Sequence, residues 1–353
     1  MKTYTLFILF VLANFSYITS QTKPSIENTG TKGTLSEYSG STTIKEDGTI
    51  LENFIIDGTL NIQANDVIVR NCLITSGGIY GIRANHGYTG LIVEDCEIRN
   101  MRSAAILGDD FIAKRCNIWN SGADGIKPGR NFLIEGCYFH KLGYIDDAHA
   151  DGIQMVAGGN GIIRGNTFDM PYNVPGYKNS QCIIMLTNNG VIDNVLIENN
   201  WIDGGGFSVQ VRDKGNGHGI PKNVSVVNNF FGRNHQFATH IVDDGVIVSC
   251  NRWEDTNEII GECKTLSVNN ETVNSNFSIY PNPASEKMTL HTPKEIGLLN
   301  IYNISGKKVY SSTTDENTTL ILKTDTFANG IYIVDFRSKN VYKRSKVVVN
   351  HSK

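Results

Sequence analysis

VRNCLI at residues 69–74 returns as VEDCEI at 93–98, AKRCNI at 113–118, IEGCYF at 134–139, IRGNTF at 163–168, IENNWI at 197–202 and VVNNFF at 226–231. Aligned on this register, one column holds Cys72, Cys96, Cys116, Cys137, Asn166, Asn200 and Asn229, at spacings of 24, 20, 21, 29, 34 and 29 residues. A second column runs out of phase with it, through YGIRA at 80, AAILG at 104, DGIKP at 124, DGIQM at 151, CIIML at 182 and FSVQV at 207. Its apolar members Ile82, Ile106, Ile126, Ile153, Ile183 and Val209 are expected to stack inward. Each repeat therefore holds two or more short β-rich strands, with glycine and asparagine at the corners and almost no helical periodicity. That pattern describes a coil of parallel sheet.

The repeat resembles the right-handed parallel β-helix of pectate-lyase-like proteins. The resemblance implies an all-β fold in which a ladder of one residue type at a corner satisfies the backbone of the next rung. The asparagines fit that role, and the cysteines look like their apolar counterpart. Stacked cysteines one strand spacing apart, ~4.8 Å, are close enough to bridge, but disulfide geometry is specific. They read as buried thiols.

The first twenty residues have one lysine, an apolar stretch centred on Leu6 to Ala13 and small residues near Ser20, the pattern of a signal peptide too short to span a membrane. No later segment is apolar enough to span one. Residues 277–353 carry 11 Lys and Arg against 6 Asp and Glu, a charge of +5, which leaves −8 of the net −3 on the rest. An acidic main body argues against nucleic acid as partner. In the tail, FSIYPNPASEKMTL, LLNIYNISGKKVY and FANGIYIVDF occur in order. They resemble the C-terminal sorting domain of the Bacteroidetes type IX secretion system, a small β-sandwich. This implies passage through the periplasm to the cell surface or outside, with the secretion machinery as a partner. The expected organisation is a signal peptide over 1–20, a lead-in over 21–43, a parallel β-helix over 44–265, a linker over 266–276 and the sorting domain over 277–353. A monomer is expected.

Chemistry must lie in the coil, where a site is assembled from successive rungs. One place after the inward isoleucine, the outward residues are Arg83, Leu107, Lys127, Gln154, Ile184 and Gln210. Two places before it stand Asp124 and Asp151, and DDAHADGIQM at 146–155 adds Asp146, Asp147 and His149. An aspartate before a corner glycine often does no more than bond the turn backbone. The pair recurs with Lys127 beyond the shared isoleucine, and the imidazole of His149 suits proton transfer near neutrality. VRDKGNGHG brings Arg212, Lys214 and His218 on a glycine-rich loop expected over the same face. Elimination from a uronic acid needs a base, a positive group against the carboxylate and an acid for the leaving oxygen. Lys127, His149 and Asp151 are the catalytic candidates, and Arg83, Asp124, Gln154, Arg212, Lys214 and His218 are the substrate-binding ones. Calcium is the one cofactor considered, to relieve repulsion between the paired carboxylates.

The expected function is a carbon–oxygen lyase acting on uronate-containing poly- or oligosaccharide, such as the algal polymers ulvan or alginate. It would cleave within the chain or dehydrate a terminal uronate. Two alternatives stand beside it. Asp124-Gly125, Asp146-Asp147 and Gly217-His218-Gly219 resemble, in order, the inverting polygalacturonases, although the interval to His218 is long and no Arg-x-Lys follows. A non-catalytic carbohydrate-binding or adhesin coil is the second alternative.

Overall fold

The computed structural model describes residues 22–75, 77–263, 277–292, 296–303, 308–314, 319–338 and 342–351. The signal peptide and the linker read from the sequence lie outside these. The chain forms two compact units, Met1–Thr265 and Leu266–Lys353.

The first unit is a right-handed parallel β-helix. Successive strands pass in turn to three parallel sheets, of ten, nine and nine strands. The first sheet runs from Ser36–Glu37 to Arg252–Trp253, the second from Thr43–Ile44 to Ala238–Val242 and the third from Ile50–Glu52 to Ile247–Ser249. The coil thus begins at Ser36, inside the stretch read as a lead-in.

The corner from third to first sheet explains the cysteine and asparagine column. The residue before each member sits at positive φ: Asn71, Asp95, Arg115, Gly136, Gly165, Asn199, Asn228 and Cys250. Asparagine, aspartate and glycine accept this left-handed geometry most readily, so the corner selects them. The next side chain then turns into the coil. Asn200 accepts the Asn166 backbone N–H on Oδ1 at 3.0 Å and donates from Nδ2 to the Ile163 carbonyl at 2.9 Å. Asn251, which the sequence reading left out of the column, closes it by accepting the Asn229 N–H at 2.9 Å.

The cysteines do more than fill space. Cys96 Sγ meets the Val69 carbonyl at 3.4 Å and Cys116 Sγ the Val93 carbonyl at 3.6 Å. These carbonyls lie three residues before the ladder member of the preceding rung, where the asparagine amides also donate. The thiol is thus a weak donor standing in for the amide. Cys72, Cys96, Cys116, Cys137 and Cys182 are free and buried, while Cys250 and Cys263 form a disulfide that the sequence reading did not anticipate.

The second column also stacks in register, Ile82 on Ile106, Ile106 on Ile126, Ile126 on Ile153, Ile153 on Ile183 and Ile183 on Val209. All six side chains are fully buried, each worth ~1.5–3 kcal/mol of removal from water.

In the second unit, a three-stranded antiparallel sheet (Ser278–Tyr280, Lys287–His291, Thr319–Lys323) and a four-stranded one (Lys308–Thr314, Gly297–Asn303, Gly330–Ser338, Tyr342–Val349) form a sandwich. Leu290, Ile301, Val334, Phe336 and Val347 are among its buried core.

Candidate active site

The repeated Asp-Gly-Ile has a steric origin. A Cβ on Gly125 would stand 2.4 Å from the Gly152 carbonyl oxygen and 2.8 Å from the Phe139 ring; one on Gly152 would stand 2.5 Å from the Cys182 oxygen and 2.7 Å from Phe168. Both glycines therefore face the core, against the stacked rings of Phe139 and Phe168, and so do the isoleucines after them. Two consecutive inward positions break the strand alternation. Asp124 and Lys127 are thereby returned to the same side.

There they form one network. Lys127 Nζ contacts Asp124 Oδ2 at 2.5 Å and donates to Gln154 Oε1 at 2.9 Å, and Gln154 Nε2 donates to Asp151 Oδ2 at 3.1 Å. Lysine can only donate, so the amide oxygen of Gln154 must face it and the amide nitrogen must face Asp151. The remaining carboxylate oxygens take backbone donors from the following rung: Asp151 N–H to Asp124 Oδ1 at 2.8 Å, and Gln181 N–H to Asp151 Oδ1 at 3.0 Å. Each aspartate thus holds the corner together and also serves the network.

Burial sets the electrostatics. Asp124 is 1% exposed and Asp151 2%. Desolvation raises the Asp124 pKa, opposed first by the Lys127 charge. Asp151 is pushed well above the usual carboxylate range, by desolvation first and then by the charge of Asp124. Both carboxyl groups are thus pushed above their ordinary range, Asp151 the more strongly, because the Lys127 ammonium lies against Asp124. All four carboxylate oxygens have N–H or ammonium partners, and an ammonium sits against one of them, so these residues do not fit the calcium ion considered above. Among the described residues, no group of three or more His, Cys, Asp or Glu side chains is placed to hold a metal ion.

Lys127 keeps a quarter of its side chain exposed at the outer face. His149 is exposed at the corner leading into the strand Ala150–Met155. It borders a 490 Å³ cleft with Tyr172, Tyr177, Lys178 and Asn179. The sequence alone did not mark Tyr172, Tyr177 and Lys178 as site residues; their positions just before the Asn179–Leu186 strand were the available signal.

Arg83 lies in the same outward row as Lys127, two rungs away across Leu107, exposed and with no ion-pair partner among the described residues. The glycine-rich loop is placed otherwise than expected. Lys214 and His218 follow the end of the strand Phe207–Arg212, whereas His149 precedes the start of its own strand, so the loop is at the opposite edge of the sheet. Arg212 is committed to Asp243 at 3.4 Å, and the loop is tied down by Asn216 on the Asn188 carbonyl at 3.1 Å. Asp146 and Asp147 are exposed at the His149 edge, so the polygalacturonase-like set of Asp146, Asp147 and His218 is divided between the two edges.

The architecture defines a parallel β-helix joined to an export domain. Residues 278–350 match the family described as the secretion system C-terminal sorting domain, which directs type IX secretion to the cell surface or outside. No curated protein matches the sequence. Among solved structures, the chain is similar to the enzymatically active domain of tailspike protein 2 of bacteriophage CBA120, at 10% identity and a TM-score of 0.38, covering 88% of this chain and 70% of that one. It is also similar to a tailspike of Acinetobacter baumannii bacteriophage Fri1, described as a capsular polysaccharide depolymerase, at 12% identity and a TM-score of 0.26, covering 87% and 69%. At these scores neither likeness bears on activity. No helix among the described residues is long and apolar enough to cross a membrane.

Proposed function

We propose that the chain is a secreted carbohydrate-active enzyme that cleaves uronic-acid-containing polysaccharide or oligosaccharide by β-elimination. The observation that carries this reading is the Lys127 ammonium, held at the outer face by Asp124 and Gln154 while both aspartates stay buried. A fixed cation is what a uronate carboxylate requires as the carbon beside it loses a proton. His149 takes that proton. The electron pair left behind forms the new carbon–carbon double bond as the bond to the leaving oxygen breaks, and Tyr172 or Tyr177 of the same cleft protonates that oxygen. Arg83 extends the positive row along the bound chain.

Hydrolysis is less well supported, because it requires two carboxyl groups open to the sugar. Asp124 and Asp151 are closed to it and their oxygens are committed, while the exposed Asp146 and Asp147 stand at the opposite edge of the sheet from His218.

The test is mass spectrometry of products from ulvan, alginate and pectate, and from short oligomers of each. Elimination gives unsaturated ends, internal for an endo enzyme and by loss of water for a terminal dehydratase. Products heavier by water mark a glycosidase, and intact substrates throughout mark a binding coil; either would overturn the proposal.

A further inference from the structure

All three tryptophans of the chain lie in the first sheet, Trp119, Trp201 and Trp253, none of them in the sheet that carries Lys127. On its outer face, register places Tyr138 beside Thr167 and Thr167 beside Trp201, while the adjoining row runs from Trp119 through His140 and Asp169 to Asp203. Two clefts of 300 and 310 Å³ open here, both bordered by Tyr138 and Asp169, with Lys23 to Ile26 of the N-terminal segment along their rims.

The lining is polar, aromatic and incompletely satisfied. Tyr138 donates to Asp169 Oδ2 at 2.9 Å and stacks on His140 at 4.4 Å between ring centres. Burial first, then the Lys141 charge, lowers the His140 pKa to about 4, so the ring is neutral at physiological pH. Trp201 borders the second cleft and stacks on Phe230. Thr167, 4% exposed, borders that cleft with a hydroxyl lacking a partner, and Asn179, 3% exposed, borders the first with an amide oxygen lacking one. Three carboxylates, Asp169, Asp203 and Glu254, stand against two cations, Lys23 and Lys141, a balance of −1. Lys23 is already paired with Glu254.

We infer that this face is a second glycan-binding site, on a different sheet from Lys127 though meeting the His149 cleft at Asn179, and selective for neutral sugar chains. The parts of the Tyr138 and Trp201 rings left exposed beside their stacked neighbours offer apolar surface to the C–H groups of pyranose rings. Asp169 and the unpartnered Thr167 and Asn179 atoms offer hydrogen bonds to hydroxyl groups. The excess of carboxylate disfavours uronates and sulfate esters, which the Lys127 row favours. Binding here would hold the protein on a mixed polymer through its uncharged stretches while the other face works on the charged ones.

The placement of the tryptophans supplies the test. Intrinsic fluorescence and calorimetry of the full chain are followed on addition of cellohexaose, mannohexaose, xylohexaose and hexagalacturonate. At least one neutral hexamer is expected to perturb the fluorescence with a Kd near or below about 1 mM. Trp201→Ala and the milder Asp169→Asn should each weaken binding at least about fivefold, a loss of ~1 kcal/mol, without changing the rate of uronate cleavage. Absence of binding by every neutral hexamer would overturn the inference. So would neutral binding unchanged in both variants, or hexagalacturonate competing equally at this face. None of these outcomes depends on whether the protein cleaves uronates.

Discussion

Lys127 and Gln154, on adjacent coils, are joined by a 2.9 Å hydrogen bond from the ammonium to the amide oxygen, which fixes the direction of every further bond in the network. Gln154→Leu removes the acceptor that steadies Lys127 and the donor that serves Asp151. The expected result is a roughly tenfold fall in kcat with a smaller change in KM. Gln154→Glu should keep Lys127 in place but set a third carboxylate beside Asp151, raising the Asp151 pKa further and with it any part of the rate that depends on the network. A rate–pH profile of the two variants beside the parent checks this, and identical profiles would show that the bond has no part in the reaction.

Lys127 is also the counter-charge of a buried carboxylate, so its removal reaches the fold. Breaking a buried pair by deleting one partner costs ~3–5 kcal/mol, and the partial exposure of Lys127 places it at the low end, about 3 kcal/mol. Lys127→Met should therefore lose both activity and stability in urea unfolding. Lys127→Met with Asp124→Asn should regain most of the stability and none of the activity. A double variant no more stable than the single one would mean that Asp124 is not charged in the folded protein.

Both columns could be read from the sequence because each is a burial pattern, and a coil repeats its burial pattern in every rung. The column from Ile82 to Val209 had to be apolar in each turn and was. What lay beyond reading was direction. By strand alternation Asp124, two residues before Ile126, would share its inward side, yet the paired inward positions of Gly125 and Ile126 turn it to the side of Lys127, and the next rung covers it. Lys214 and His218 follow an outward glutamine in the sequence, but which edge of a sheet a loop leaves depends on where the strand ends. The aromatic face of the first sheet was legible but unread. Tyr138, Thr167 and Trp201 each stand one place after the cysteine and asparagine column, and Trp119 and Asp169 stand three places after it, but their side chains differ too much in type to draw notice as a row.

The ladder predicts unequal costs along one column. Without Asn200, the Asn166 N–H and the Ile163 carbonyl lose their partners inside the coil. Each unsatisfied buried group costs ~1–3 kcal/mol, so Asn200→Ala should destabilise by about 2–6 kcal/mol. Cys116→Ala at the equivalent place removes only a weak donor and a small apolar group, and should cost about 1 kcal/mol. Thermal unfolding of the two variants tests the difference; equal losses would reduce the asparagine ladder to filler.

His140 predicts a pH dependence of stability. Its folded pKa, near 4, is below the ordinary 6.5, so between these values the unfolded chain binds the extra proton. Its contribution is full above about pH 6.5 and is lost as pH falls toward 4, by up to ~3 kcal/mol, since each tenfold difference in proton affinity between the two states is worth about 1.4 kcal/mol. His140→Gln can still bond Asn117 and should flatten this part of the curve. Urea unfolding at pH 7, 5.5 and 4 measures it, and a parent and variant that decline in parallel would place the acid sensitivity elsewhere.

His149 separates elimination from hydrolysis most directly, because it is exposed at the corner and can be altered with little effect on folding. Surface substitutions of this kind usually change stability by no more than ~0.5 kcal/mol. Loss of a general base typically costs ~10²–10⁴ in rate, so His149→Ala should be nearly inactive and remain folded. Asp146→Asn and Asp147→Asn, on the same exposed turn, should keep most of their activity, since elimination asks nothing of them. A glycosidase built on this corner would give the reverse order. The asparagine variants would then be inactive and His149→Ala would cleave at close to the parent rate, with saturated products.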